Sequence, residues 1–129
     1  PADFAAMLRA QMEKLKIDPA FISRSVNEGF SGGEKKKSEV LQMAMLEPSF
    51  AFLDEIDSGL DIDALKIVAK ELSAIQQKQG MGLVIVSHNP RILDFIKPDK
   101  IHIMSKGKII AQGGAEIIAK IEKGGYDSF

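Results

Sequence analysis

Phe50-Ala51-Phe52-Leu53-Asp54-Glu55-Ile56-Asp57-Ser58-Gly59-Leu60-Asp61 is the stretch on which the fold turns. Its continuous apolar start, cut off by two acids, reads as a short strand buried on both faces. Downstream, Ile62, Leu65, Val68, Ala69, Leu72 and Ile75 recur at helical spacing and predict a helix that stops in the breaker run Gln79-Gly80-Met81-Gly82. Residues 83–86 form a second apolar run, bounded by Gly82 and Ser87. Strand, helix, strand with a crossover of this length implies a parallel sheet covered by helices, an α/β fold. Asp54 and Glu55 then stand at the carboxyl edge of that sheet, where such folds build their sites, and so does His88 after the second strand.

Working outward, Phe4, Met7, Leu8, Met12 and Leu15 predict an amphipathic helix over residues 3–16 with Asp3 as its cap. Asp18 and Pro19 break it, a short helical piece follows at 20–23, and 24–30 reads as irregular. Ser31-Gly32-Gly33-Glu34 opens a second long helix with capping-box spacing, whose buried face is Val40, Leu41, Ala44 and Met45 and which Pro48 ends. Beyond His88, Asn89 and Pro90 begin a helix of about two turns reaching Ile96. Residues 101–105 and 108–112, joined at Lys106-Gly107, read as a hairpin that contains His102 as a structural residue. A last helix spans 115–123. The chain thus divides into a helical subdomain, 1–48, and a sheet-based part, 49–129.

The chain has 129 residues, 45% hydrophobic and 27% charged, the composition of a packed globular protein rather than a disordered one. Seventeen Lys and Arg against eighteen Asp and Glu leave a formal charge of −1, which gives no net positive field for nucleic acid or an anionic membrane. Phosphate binding, if present, is local. The absence of cysteine excludes disulfides, thiolate zinc sites and iron–sulfur clusters ligated by this chain's own thiols. No apolar run approaches the roughly 18–20 residues of a membrane-spanning helix, and the start shows no signal-peptide pattern.

Three pieces carry candidate chemistry. At Ser31-Gly32-Gly33-Glu34, two glycines leave the first turn's outward N–H groups open to a phosphate at the positive end of the helix dipole; the plain alternative is a capped helix with a flexible entry. Asp54 can hold the water shell of Mg²⁺ and Glu55 can orient an attacking water, although acids at a strand exit also serve as loop residues and caps. His88 can hydrogen-bond a transferring phosphoryl group, or be a turn residue before Asn89-Pro90.

Taken in order, these pieces resemble the C-terminal half of an ABC-type ATPase across essentially the whole chain. The resemblance implies that Ser31, Gly32, Gly33 and Glu34 form the signature motif, which binds ATP held by a second copy. It implies that Asp54 is the Walker B acid that holds Mg²⁺ through water, that Glu55 is the acid that prepares the attacking water, that Ser58, Gly59, Leu60 and Asp61 are the D-loop, and that His88 is the switch histidine. Within the family, Ser25-Val26-Asn27-Glu28-Gly29-Phe30-Ser31-Gly32-Gly33-Glu34-Lys35-Lys36-Lys37, Leu41-Gln42-Met43-Ala44 and residues 57–65 are similar to the SufC branch, the ATPases of Suf iron–sulfur cluster assembly. Glu34, where transporter ATPases usually have Gln, and Ile62-Asp63-Ala64 follow that branch; so do Arg91-Ile92-Leu93-Asp94, Ile96-Lys97-Pro98-Asp99 and Gly125-Tyr126-Asp127. Ile56, in place of a hydroxyl residue, and Asn89-Pro90, in place of Tyr-Gln, depart from it.

The resemblance implies ATP and Mg²⁺ as cofactors of the full-length protein, association of two copies on ATP, SufB and SufD as partners that carry the cluster ligands, and a place in the cytoplasm or an organelle matrix or stroma. A transporter nucleotide-binding subunit and a non-enzymatic truncated binding module are the alternatives. No Gly-x-x-x-x-Gly-Lys-Ser/Thr occurs in the chain, and it begins at Pro1. The reading therefore expects a piece without the Walker A half, inactive alone. It further expects exposed sheet edges and apolar surface, with self-association or partial disorder of 3–25. Lys35, Lys36 and Lys37 read as a solvated helix face, with the narrower option that one of them pairs with Glu55.

Overall fold

Asp61 starts the longest helix: its side chain accepts from the Ala64 N–H at 2.7 Å, and Gly80, at φ 63°, supplies the left-handed residue that ends it. The computed structural model describes residues 2–25 and 28–125; Val26, Asn27, Tyr126 and Asp127, part of the sequence resemblance, lie outside the described residues. Chain order is α1 (Ala2–Lys14), a 3₁₀ turn (Pro19–Ser23), α2 (Gly32–Leu46), β1 (Phe50–Asp54), α3 (Ile62–Gln79), β2 (Gly82–Val86), a second 3₁₀ turn (Pro90–Asp94), β3 (Ile101–Ser105), β4 (Lys108–Gly113) and α4 (Ala115–Gly124). These elements form two compact units that meet in sequence between Asn89 and Pro90.

In the first unit, β1 and β2 pair in parallel with Phe50 opposite Gly82 and Asp54 opposite Val86, as the strand–helix–strand pattern requires. α3 contributes Leu65, Val68, Ala69, Leu72 and Ile75 to the core, which also buries Met12 and Leu15, Val40, Met43 and Ala44 of α2, Ile56 and Met81. Each such Leu, Val, Ile or Met side chain stabilises by about 1.5–3 kcal/mol relative to leaving it exposed. Lys14, at 3.5 Å from the buried Glu71, ties the end of α1 to α3.

Several expectations need correction. β1 is not buried on both faces: Phe50 and Phe52 are 59% and 64% exposed, while Ala51 on the opposite side is buried. Among the described residues of this unit no element covers that face of the two-stranded sheet, so its apolar surface is open. The N-terminal half of the α1 stripe is open for the same reason, Phe4 and Met7 being exposed and only Met12 and Leu15 buried. Asp3 lies inside the first turn of α1 rather than capping it, and still faces the positive end of the dipole. On α2 the buried face is Val40, Met43 and Ala44, with Leu41 and Met45 half-buried.

The second unit holds the hairpin and α4. Lys106 and Gly107 both take positive φ, 47° and 74°, the type I′ pattern that matches strand twist. A bulge between Ile103 and Met104 shifts the register so that Ile103 faces Ala111 and Met104 faces Ile109. Ile103, Ile117 and Ile121 form its core, with Ile101 and Ala111 packed against them. Pro90–Asp94 is a 3₁₀ turn rather than two turns of α-helix, although the N–H groups of Phe95 and Ile96 both donate to Ile92 O. His102 is exposed.

Candidate functional site at the carboxyl edge of the parallel strands

Parallel pairing brings the ends of β1 and β2 side by side, and the register carries on past the strands: the Glu55 N–H donates to Val86 O at 2.9 Å. Glu55 sits at φ 49°, a left-handed conformation uncommon outside glycine, which turns the chain sharply off the strand. Its carboxylate meets His88, with Nδ1 2.9 Å from Oε1, across 33 residues of sequence. Both side chains remain open to solvent. Asp54, the last residue of β1, is exposed beside them.

After Glu55 the chain makes a tight turn in which the Ser58 N–H donates to Glu55 O at 3.0 Å and the Leu60 N–H to Asp57 O at 3.3 Å. Ser58 and Gly59 are exposed, Leu60 is half-buried, and Asp61 is occupied as the α3 cap. Asp57 is buried and accepts from Ser87 Oγ at 2.7 Å. Sequence reasoning gave Asp57 and Ser87 no role; their position, two residues after Glu55 and one before His88, is the signal that marks them.

At the start of α2 the capping box is complete. The Glu34 N–H donates to Ser31 Oγ at 3.3 Å, and the Ser31 N–H donates to Glu34 Oε2 at 2.7 Å. The backbone N–H of Ser31, followed by that residue's hydroxyl, holds the Glu34 carboxyl below its usual value. Ser31 Oγ thus accepts within the box, and its single hydroxyl hydrogen is the one that serves the Glu34 carboxylate. A Cβ on Gly32 would meet nothing within 4 Å, and one on Gly33 would stand 3.5 Å from Leu60 Cδ2, so this helix start adjoins the turn after β1.

The lysine expectation fails at one point. Lys36 pairs with Glu39 at 3.3 Å and Lys37 Nζ reaches Lys16 O at 3.5 Å, while the partner shown for Glu55 is His88. A histidine two residues beyond the neighbouring strand is carried to Glu55 by the strand pairing, whereas Lys36 and Lys37 are drawn to acceptors on or beside their own helix.

Comparison with solved structures decides the fold. MJ1267, an ATP-binding cassette of an ABC transporter, superposes with a TM-score of 0.71 at 26% identity over 91% of this chain and 45% of that one. A nucleotide-free ATP-binding cassette from an ABC transporter gives 0.72 at 21% identity, over 96% of this chain and 48% of that one. The fold is that of the C-terminal part of an ABC-type ATPase.

In sequence, the probable ATP-dependent transporter ycf16 of Cyanophora paradoxa is 50% identical over 127 residues, 98% of this chain and 49% of that protein. The probable ATP-dependent transporter slr0075 of Synechocystis is 50% identical over 125 residues, 97% of this chain and 48% of that protein. Vegetative protein 296 of Bacillus subtilis is 47% identical over 124 residues, 96% and 47% respectively. The chain spans about half the length of the curated relatives it matches. No family model matches it. These likenesses support an ABC-type nucleotide-binding module. Among the described residues no helix is long and apolar enough to cross a membrane.

Proposed function

We propose that the chain supplies the signature helix, acidic strand end, D-loop and switch histidine of an ABC-type ATPase, with residues 1–48 as the helical subdomain and 49–129 as the rest of the nucleotide-binding core. The observation that carries this reading is the pairing of Glu55 with His88 at 2.9 Å beside Asp54, at the edge of two parallel strands. Neither a cap nor a turn requires an acid and an imidazole from separate strands to meet.

The residues fit the cofactors. Among the described residues no three metal-binding side chains gather into a cage. Asp54, with Glu55 next to it, offers hard carboxylate oxygens to an ion that keeps its waters and is completed by substrate phosphates, as Mg²⁺ is. Bound Mg²⁺ would neutralise phosphate charge. The exposed helix start at Ser31 and the open backbone at Gly32 suit a phosphate oxygen of ATP held by a second copy.

Phosphoryl transfer depends mostly on positioning and charge stabilisation, so the roles follow from geometry. Glu55 receives hydrogen from the attacking water and His88 donates to a phosphoryl oxygen. In the arrangement seen here these roles compete. If Nδ1–H is donated to Glu55, a neutral ring has no hydrogen on Nε2, so His88 must leave Glu55 or take up a proton before it can donate. The pair is thus a resting contact that nucleotide opens.

The phosphate-wrapping loop does not occur in these 129 residues, so the test belongs to the protein that carries one. There, His88→Ala lowers turnover by about 10²–10⁴-fold and leaves ATP binding in place; unchanged turnover rejects the reading. The finer assignment is to the SufC branch, coupling ATP to cluster assembly on SufB and SufD; Glu34 and residues 57–65 support it. A transporter subunit is the second reading, supported by the printed names of ycf16 and slr0075. Copurification with SufB and SufD favours the first, and with a membrane protein the second.

A further inference from the structure

Glu55 and His88 are both exposed, and one 2.9 Å contact between solvated side chains does not hold two loops in register. What holds them lies beneath. Asp57 is 4% exposed, an uncommon place for a carboxylate, and its Oδ2 accepts from Ser87 Oγ at 2.7 Å, a charge-assisted bond across 30 residues. Ser87 Oγ in turn accepts from the Asn89 N–H at 2.9 Å. Asn89 O also lies 3.2 Å from it, but the single hydroxyl hydrogen goes to the shorter contact, with Asp57. Ser87 Oγ therefore closes a turn around His88, and Asp57 anchors that turn.

On the other side, Asp57 belongs to the turn that begins at Glu55 O and ends at Leu60 N–H. The backbone bond from Glu55 N–H to Val86 O completes the frame. Glu55 is thus held two residues before the anchor, and His88 one residue after the anchor's partner.

We propose that Asp57 is a positioning residue: through Ser87, its buried carboxylate locks the turn carrying Glu55 to the turn carrying His88. Its carboxylate is buried and acts through Ser87 rather than on the reacting groups. The proposal deepens the hydrolytic reading of Glu55 and His88 and rests on it for its catalytic consequence, while the mechanical link is testable without nucleotide.

Amide hydrogen exchange on the 129-residue chain tests the link. Ser87→Ala speeds exchange of the Ser58 and Leu60 amides, on the far side of the bond, by about tenfold or more, with the α2 amides unchanged. Ser87→Thr, which keeps the hydroxyl, restores slow exchange; so does Asp57→Asn in part, because the amide oxygen still accepts. Unchanged Ser58 and Leu60 amides in Ser87→Ala overturn the link, as does failure of Ser87→Thr to restore them. If Ser87→Ala unfolds, the Thr and Asn variants still decide, since both then must fold and keep those amides slow.

In the phosphate-loop-bearing protein, Asp57→Asn and Ser87→Ala lower kcat with KM for ATP unchanged, by up to about 10²-fold, and Ser87→Thr recovers it. An intact link with unaffected kcat overturns the catalytic consequence. Absence of turnover in the unsubstituted protein defeats the hydrolytic reading instead and leaves the exchange result standing.

Discussion

Ser31→Ala removes one half of the α2 capping box and leaves the other. The lost bond is the 3.3 Å contact from the Glu34 N–H, while the Ser31 N–H, a backbone group, keeps its 2.7 Å bond to Glu34 Oε2. Replacing a Ser cap by Ala costs about 0.5–2 kcal/mol. The long bond and the exposed site place this case at the low end, about 0.5–1 kcal/mol. For a unit the size of Pro1–Asn89 this lowers Tm by roughly 2–8 °C, read by thermal melting of the helical circular dichroism signal.

Glu34→Gln separates charge from geometry, because the amide oxygen can still accept from Ser31. The Glu34 carboxyl is held below its ordinary value of 4.5, first by the Ser31 N–H. A lowered folded-state pKa adds stability above the unfolded value, and that stability is lost as pH falls through the folded value. The wild-type advantage over Glu34→Gln is therefore full at neutral pH and disappears in acid below 4.5. An unchanged Tm for Ser31→Ala, or an advantage over Glu34→Gln that persists in strong acid, would refute the reasoning.

Two further substitutions probe the core and the open sheet face. Leu72→Ala deletes a fully buried α3 side chain and lowers stability by about 2–5 kcal/mol, measured by urea unfolding. Phe52→Lys changes a ring that is 64% exposed and shifts stability by less than about 0.5 kcal/mol in the same assay; a core-sized loss would mean that this face of β1 is covered.

What was legible in the sequence was local or periodic. Ser31 and Glu34 are three residues apart, so the box between them follows from sequence spacing, and the structure forms both bonds. The hairpin was legible because Lys106-Gly107 accepts two positive φ angles. The approach of Glu55 to His88 was half legible: parallel pairing puts both strand ends on one edge, but not which side chain takes the carboxylate.

Burial of β1 was misjudged because an apolar run records what a strand prefers, whereas exposure of Phe50 and Phe52 depends on whether another element lies over them. The bond between Asp57 and Ser87 left only their places beside Glu55 and His88 as a signal, since neither residue type is distinctive and 30 residues separate them. The stretch after Asn89 reads as a helix of about two turns from its Asn89-Pro90 start, yet it closes as a 3₁₀ turn, which a proline can begin equally well.

The central claim is that Glu55 prepares the water that cleaves ATP. Glu55→Gln keeps the shape and an oxygen able to accept from His88 Nδ1, but cannot take up the water's proton. Steady-state ATP hydrolysis by the full-length protein carrying Glu55→Gln should fall by about 10²–10⁴-fold, with ATP-bound dimers retained on gel filtration. Hydrolysis at the wild-type rate would contradict the account.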